Sequence, residues 1–235
     1  ACASMVTLSA CAPPNSGGDT AAETSAAESE SSGETSASAA GTDTTDGAVT
    51  ITMAMTAPWD TFIPFNTTNA NTDAVLELMY DKLIVVKANG EHEPRLATKW
   101  EQDSETGKIL TFELNENAKW HDGEPVTADD VVFTCELMAN EAITHPRRSK
   151  VAFFTGTDDS GVRVQDVDFG VVALDDHTVQ FTMKDPAPIS YMLSQTFRDF
   201  YVLPEHLLAD IPADQIMTDE FWQHPIGSGP CIYES

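Results

Sequence analysis

The stretch WHDGEPVTADDVVFTCELM, residues 120–138, holds a turn, a group of acids and an apolar run. Asp122 and Gly123 form a typical turn pair, and Thr127 with Asp130 matches the capping-box pattern of a helix N-terminus. The pattern therefore predicts a helix that begins just after Thr127. In this interpretation the acids start the helix, and the stretch needs no catalytic role.

The remainder of this stretch has the period of a helix with a buried face. Asp129 and Asp130 would lie in the first turn, where the helix dipole favours negative charge. Phe133 and Leu137 flank the apolar stripe, so most of the helix should be covered. The predicted core-facing residues are Ala128, Val131, Val132, Cys135, Met138 and Ala139.

Composition limits the kinds of partner. The chain has 235 residues, and its 12 Lys and Arg against 38 Asp and Glu give a formal net charge of −26. Such a charge repels nucleic-acid phosphates and anionic lipid headgroups, so no nucleic-acid partner is expected. No apolar run approaches the roughly 20 residues of a membrane-spanning helix. These properties favour a soluble protein that works outside the cell.

Residues 1–11 resemble the end of a secretory signal with a bacterial lipobox, in which Leu8, Ser9 and Ala10 precede Cys11. We expect Cys11 to carry a lipid anchor that holds the protein on the cell membrane, facing the extracellular side or the periplasm. An accidental apolar stretch with a stray cysteine is the alternative. The chain opens on Ala1 without a basic region, so we expect its N-terminus to be truncated.

Residues 12–47 consist almost wholly of Ser, Thr, Ala, Gly and acids. A segment without aromatic or large aliphatic residues cannot bury enough apolar surface to offset its conformational entropy. We therefore predict a disordered, acidic tether between the anchor and a folded part at residues 48–235.

The folded part alternates predicted strands and helices, which indicates an α/β or α+β domain. The predicted helices begin at Thr72 or Asp73, after Thr127, and within 204–211. The predicted strands are 49–55, a short one at the end of 72–86, 108–114, and a hairpin over 170–184 that places Val179, Phe181 and Met183 on one face.

Residues 110–138, LTFELNENAKWHDGEPVTADDVVFTCELM, resemble the fingerprint of extracellular solute-binding protein family 5, the binding proteins of peptide and nickel ABC importers. The matching residues are Lys119, Trp120, His121, Asp122, Gly123, Thr127, Ala128, Asp129, Asp130, Val131, Val132 and Phe133. Further matches occur in order at VLELMYDKLIVV (75–86), PRLATKWE (94–101), LDDHTVQFTMKDPAP (174–188), VLPEHLL (202–208) and PIGSGPCIY (225–233). The resemblance covers roughly residues 49–235.

This resemblance implies an α/β, periplasmic-binding-protein-like fold of type II with two lobes, of which mainly the first is present. It implies that Gly227, Gly229 and Pro230 form the hinge or crossover into the second lobe, and that the chain is truncated after it. It also implies a substrate-binding lipoprotein, not an enzyme, that needs no cofactor, captures peptides and delivers them to ABC permease subunits. Asn115, Ile63 and Cys231 depart from the family pattern, which leaves the ligand type open.

The loop 56–69, TAPWDTFIPFNTTN, is the best candidate for ligand contact within the chain. Trp59, Phe62 and Phe65 are large aromatics, and Asp60 could meet an ammonium group. The alternative is that the aromatics form a local core. Binding of nickel chelates, oligosaccharides or another solute remains open, as does a different class, a secreted hydrolase or adhesion lipoprotein.

The sequence offers little for catalysis or metal binding. The six histidines form no HxxH or HxxxH pair, and we interpret them as solvated turn residues, with no metal site. The neighbouring acids at 129–130, 158–159 and 175–176 are attributed to helix starts and turns, and GSGP lacks the spacing of a nucleophile elbow. Whether Cys135 and Cys231 pair is left open.

Overall fold

The computed structural model describes residues 55–234 in full and, as backbone only, three short strands before them. The three strands are β1 (Leu8–Ala10), β2 (Thr44–Thr45) and β3 (Ala48–Val49). The remaining strands are β4 (Ile84–Val86), β5 (His92–Pro94), β6 (Ala97–Gln102), β7 (Ile109–Leu114), β8 (Val171–Asp175), β9 (Thr178–Thr182) and β10 (Cys231–Tyr233). The α-helices are α1 (Ala70–Met79), α2 (Ala128–Ala139), α3 (Ile189–Gln195) and α4 (Glu205–Leu208), and 3₁₀ turns cover Arg148–Lys150, Ile216–Thr218 and Glu220–Gln223.

The largest sheet has four antiparallel strands in the order β6-β7-β9-β8. Along β7 and β9 every second residue points to the inner face of the sheet and is buried. These residues are Leu110, Phe112 and Leu114 of β7 and Val179 and Phe181 of β9. Helix α2 lies between β7 and β8 in the chain and packs on β8 and β9. The alternation along these strands is what a sheet with one covered face requires.

The predictions for β7, for the β8–β9 hairpin and for the start of α2 are confirmed. The predicted start of α1 is wrong, because Asn69 is the N-cap and accepts a hydrogen bond from the backbone N–H of Asn71. Thr72 instead hydrogen-bonds to Asp60, and Asp73 forms an ion pair with Arg147.

The predictions for the N-terminal part lie mostly outside the described residues. This holds for most of the strand 49–55, whose last residue, Met55, is described and belongs to no strand. It holds also for the tether 12–47, of which only β2 is described, paired with β3. The predicted lipobox residues Leu8–Ala10 are described as β1, which pairs antiparallel with β10. In the described part of the chain no helix has the length and apolar character needed to cross a membrane.

Helix α2 is held at its N-terminus by the carboxylate of Asp130, which is only 3% exposed. One of its oxygens accepts from the backbone N–H of Thr127 at 2.8 Å and from the indole N–H of Trp120 at 3.2 Å. The other accepts from the backbone N–H of Glu205, the first residue of α4, at 2.8 Å. Asp130 therefore joins the preceding turn, α2 and α4.

The buried face of α2 differs at one predicted position. Val132 is only partly buried, whereas Thr134 is 1% exposed. The Thr134 hydroxyl donates to the Asp130 carbonyl at 2.7 Å and accepts from the Leu203 N–H at 2.9 Å. A polar residue can occupy the core here because both of its hydrogen-bonding capacities are used.

We predict that Asp130→Asn lowers the free energy of unfolding by about 1–3 kcal/mol, because the amide nitrogen would meet a buried N–H donor. Burial raises the pKa of Asp130, and the N–H donors of Thr127 and Glu205 only partly oppose this. Because the pKa of Asp130 is higher in the folded chain than in the unfolded chain, this carboxyl stabilises the fold most at pH values below the unfolded pKa. That contribution is lost as the pH rises through the folded pKa. Denaturant unfolding at neutral pH measures the change.

Asp129→Asn is the matched control for this experiment, because Asp129 lies in the same helical turn and is exposed. Its loss removes only a dipole interaction, about 0.3–1 kcal/mol. Equal effects of the two substitutions would contradict the role given to Asp130.

Candidate functional site

The segment 225–233 lies directly against the C-terminal end of α1. It contains the predicted crossover residues Gly227, Gly229 and Pro230 and is called the crossover segment after that prediction. The N–H of Gly229 donates to the Met79 carbonyl at 2.9 Å, and the Ser228 hydroxyl accepts from the N–H of Asp81 at 3.2 Å. A Cβ at Gly227 would lie 1.8 Å from the Met79 oxygen, which no side chain can tolerate. Glycine is therefore required here by close backbone approach.

His121 holds the crossover segment from the other side. Its backbone N–H donates to the Gly227 carbonyl at 2.8 Å, and its Nδ1 accepts from the Gly227 N–H at 3.2 Å. Nε2 lies 2.8 Å from the Gly229 carbonyl, so this geometry assigns the neutral tautomer with the proton on Nε2. The interpretation of His121 as a solvated turn residue is wrong, because both ring nitrogens are used inside the fold.

An aromatic cluster, defined here as Trp59, Phe62, Tyr233 and His224, joins the loop 56–69 to β10. The ring centroids are 6.0 Å apart for Trp59 and Phe62, 4.9 Å for Phe62 and Tyr233, and 6.0 Å for His224 and Tyr233. The first three rings are partly buried and His224 is exposed. The cluster thus keeps an accessible aromatic surface next to the crossover.

Asp60 lies between the first two of these aromatics in the sequence and is exposed. One carboxylate oxygen accepts from the hydroxyls of Thr72 at 2.6 Å and Thr67 at 3.0 Å, and the Asp60 N–H donates to the Thr72 hydroxyl at 3.0 Å. Burial acts to raise the pKa of Asp60, but these hydrogen bonds outweigh it and hold the pKa below its ordinary value. Asp60 therefore carries a fixed negative charge at neutral pH.

Phe65, by contrast, is a core residue with 3% exposure. It makes an edge contact with the ring of His145 at 4.9 Å between centroids, and His145 Nε2 lies 2.8 Å from the Met138 carbonyl. This burial favours the alternative that Phe65 belongs to a local core. The prediction of Phe65 as a ligand contact is therefore corrected. His145 is buried rather than solvated, and its burial lowers its pKa.

Arg147 fixes the far end of the loop 56–69. Its Nε donates to the Thr67 carbonyl at 3.0 Å, and one terminal nitrogen donates to the Asp199 carbonyl at 3.3 Å. The other forms an ion pair with Asp73, and the guanidinium lies 5.9 Å from the ring centre of Tyr201. Because Arg147 is 7% exposed, these contacts make it a structural link between the loop, α1 and residues 199–201.

The structure gives the paired acids local roles. Asp158 accepts from Ser160 and Val162, and Asp175 accepts from the N–H of His177, so each closes its own turn. Within residues 55–234 no group of three His, Cys, Asp or Glu could hold a metal ion. Cys135 is fully buried, Cys231 is partly buried, and both are free thiols.

We predict that Gly227→Ala lowers the free energy of unfolding by about 1–3 kcal/mol, because the segment must move off the Met79 carbonyl. Ser228→Ala removes only one hydroxyl hydrogen bond from the same segment and serves as the matched control. Urea unfolding of both variants measures the difference. A Gly227→Ala variant no less stable than Ser228→Ala would refute the close-approach constraint.

The periplasmic oligopeptide-binding protein OppA of Salmonella typhimurium is 37% identical over 119 residues, which are 49% of this chain and 21% of that protein. The substrate-binding protein CtaP of Listeria monocytogenes superimposes with a TM-score of 0.61 at 29% identity, over 75% of this chain and 32% of that one. The oligopeptide-binding protein AppA of Bacillus subtilis, solved with a nonapeptide, has a TM-score of 0.60 at 24% identity, over 73% and 31% of the two chains.

The chain thus spans about a fifth of the length of the curated relatives that it matches and about a third of the solved structures. These structures have the type II periplasmic-binding-protein fold, and this chain contains part of it. The family model for bacterial extracellular solute-binding proteins, family 5 Middle, matches residues 91–235. This chain therefore belongs to the family 5 bacterial extracellular solute-binding proteins.

Proposed function

We propose that this chain is part of a substrate-binding protein that captures peptides outside the cell and delivers them unchanged to the permease subunits of an ABC importer. The observation that carries the proposal is the family match, together with relatives whose names give oligopeptide or peptide binding. The aromatic cluster supplies a surface of the right chemistry in this chain.

The proposed ligand contacts are Trp59, Asp60 and Phe62. Aromatic rings offer a large apolar contact area that accepts many kinds of side chain. The ionised Asp60 would attract the terminal ammonium group of a peptide, and its position is fixed by Thr67 and Thr72. A peptide ligand suits such a site because its charged terminus and its side chains can be held by separate groups.

The proposed crossover into a second lobe is Gly227, Gly229 and Pro230. The two glycines are held by Met79 and His121, whereas Pro230 is exposed. Movement of a second lobe would therefore begin beyond the glycines. Trp59 and Phe62 lie on the fixed side of this point, whereas Tyr233 of the aromatic cluster follows it in the chain. Closure of two lobes around a ligand is a common conformational change by which a protein could report ligand binding to a partner.

The ligand class is tested on the intact protein by thermal unfolding with di- to pentapeptides, nickel-histidine and oligosaccharides. We expect a rise in Tm with peptides only, because a ligand that binds the folded state stabilises it. Trp59→Ala and Phe62→Ala should each weaken peptide binding about tenfold in calorimetry. Peptide hydrolysis during the measurement, or stabilisation by nickel or sugar alone, would refute the proposal.

Tyr191→Ala is the matched control for these variants, because Tyr191 is an exposed aromatic on α3 with 48% exposure. Its ring centroid lies 6.2 Å from that of Phe153, and it does not belong to the aromatic cluster. Its substitution should leave peptide binding unchanged.

We propose further that Cys11 carries the lipid anchor and that the acidic segment 12–47 tethers the folded part to it. Cleavage before Cys11 would remove Leu8–Ala10, so in the mature protein β10 would lose its pairing with β1. The support is the order of small residues before Cys11 and the composition that follows it.

Cys11→Ser should move the intact protein from the membrane fraction to the soluble fraction, because the thiol that takes the lipid is lost. Fractionation and immunoblotting of cells that express either form measure this. A variant that stays in the membrane fraction would refute the anchor.

A further inference from the structure

The two edges of the four-stranded sheet are built differently. Strand β6 exposes Lys99 and Glu101 at its edge, and charged side chains are a common protection against pairing with another chain. Strand β8 instead exposes two aliphatic residues, Val172 at 42% and Leu174 at 55%. Within the described residues β8 has β9 on one side and no strand on the other.

The outer edge of β8 offers free backbone groups. The N–H of Thr182 donates to the Gly170 carbonyl, so Gly170 and, two residues on, Val172 face β9. In an antiparallel ladder the residues between them, Val171 and Ala173, point their N–H and C=O groups outward. Outside the sheet ladder, neither N–H donates a backbone hydrogen bond among the residues that the structure describes.

A groove runs beside this edge, between α2 and the loop 163–169, with a volume of about 920 Å³. We name it the β8 groove. Its apolar lining is Val132, Val167, Phe169, Val171, Val172 and Ala173. Val132 of α2 is only partly buried, so the helix also contributes apolar surface to the groove.

The charged lining of the β8 groove is strongly acidic. It consists of Asp129, Glu136, Asp166 and Asp168, with Arg163 as the one base in the lining. The Arg163 guanidinium is committed to the protein itself, since it donates to the carbonyls of Gly156 and Val167 at 2.9 Å and lies 4.7 Å from the ring centre of Phe169. The groove therefore presents unbalanced negative charge.

We propose that the β8 groove binds an extended segment of a partner protein that alternates apolar and basic side chains and adds as a strand to the outer edge of β8. Backbone pairing with Val171 and Ala173 would supply affinity, and the acidic lining would select Lys or Arg. A second copy of this chain or its own segment 12–47 fits poorly, because both are acidic. The β8 groove shares no residue with the aromatic cluster, so this inference stands apart from the proposed ligand site.

The test uses the intact protein and a fluorescent peptide with the sequence Lys-Val-Lys-Val-Lys-Val, compared with Glu-Val-Glu-Val-Glu-Val. Fluorescence anisotropy should detect stronger binding of the basic peptide than of the acidic one, and the difference should shrink as salt is raised. Amide hydrogen exchange should slow at Val171 and Ala173 when the basic peptide is bound. Equal binding of both peptides, or unchanged exchange at these amides, would overturn the proposal.

Two variants test the two parts of the surface. Leu174→Lys gives the β8 edge the kind of protection that β6 has, and Asp166→Asn with Asp168→Asn removes acidic charge alone; each should weaken the basic peptide about fivefold or more. Glu101→Gln on the β6 edge is the matched control and should have no effect. Sedimentation of the protein alone should show no self-association. If the protein associates with itself and Leu174→Lys abolishes that association, the β8 edge pairs copies of the chain and the proposal fails.

Trp59→Ala separates this inference from the proposed function. It should leave the basic peptide bound at the β8 groove, whatever its effect on transported peptides. If Trp59→Ala abolishes binding and Leu174→Lys does not, the peptide occupies the aromatic cluster and the β8 proposal is wrong.

Discussion

The approach of the Gly227 backbone to the Met79 carbonyl constrains the rest of the candidate site. Only a residue without Cβ can lie there, and once it does, Gly229 can donate to the same carbonyl. The chain then continues into β10, where Tyr233 lies against Phe62. The aromatic cluster therefore depends on a contact made entirely by backbone atoms.

The stretch 120–138 supports both halves of this arrangement. His121 at its start accepts from and donates to the crossover, while Asp130 near its centre gathers three N–H donors from separate parts of the chain. The histidine and the acid that resemble catalytic groups in the sequence are thus occupied by structural hydrogen bonds. A carboxylate buried in this way is stable only while its donors stay in place, which makes the stretch sensitive to change.

Local patterns were sufficient for part of the fold. The capping box fixes the start of α2, and strict alternation identifies β7 and the β8–β9 hairpin. The sequence pattern does not predict strand β6, because its outward positions carry Lys99 and Glu101 and its inner residues are too few to reveal a period of two. The predicted start of helix α1 lies too far along the chain. Thr72 and Asp73 resemble caps in the sequence, but they bond to distant partners, and Asn69 caps the helix.

The candidate site was predictable only on one side. Trp59 and Phe62 are conspicuous in a short loop, but Tyr233 reaches them from the other end of the chain, and no sequence period records that contact. The interpretation of His121 and His145 as solvated turn residues fails for the same reason, since His121 hydrogen-bonds to Gly227 and Gly229 and His145 packs against the ring of Phe65. Side chains whose role is decided by long-range contacts carry no local signature of that role.

The register of the central sheet also affects how quickly the chain can fold. Strand β7 pairs with β9, so that Ile109 lies opposite Thr182, about seventy residues further along the chain. Closing so long a loop costs entropy before any ladder bond forms, and topologies rich in such contacts fold slowly. During synthesis β7 emerges from the ribosome well before its central partner, and until β9 arrives its apolar face has no complete sheet to join. Until β9 has been synthesised, β7 can pair only with β6, and Leu110, Phe112 and Leu114 lack the complete sheet in which they are buried in the folded protein.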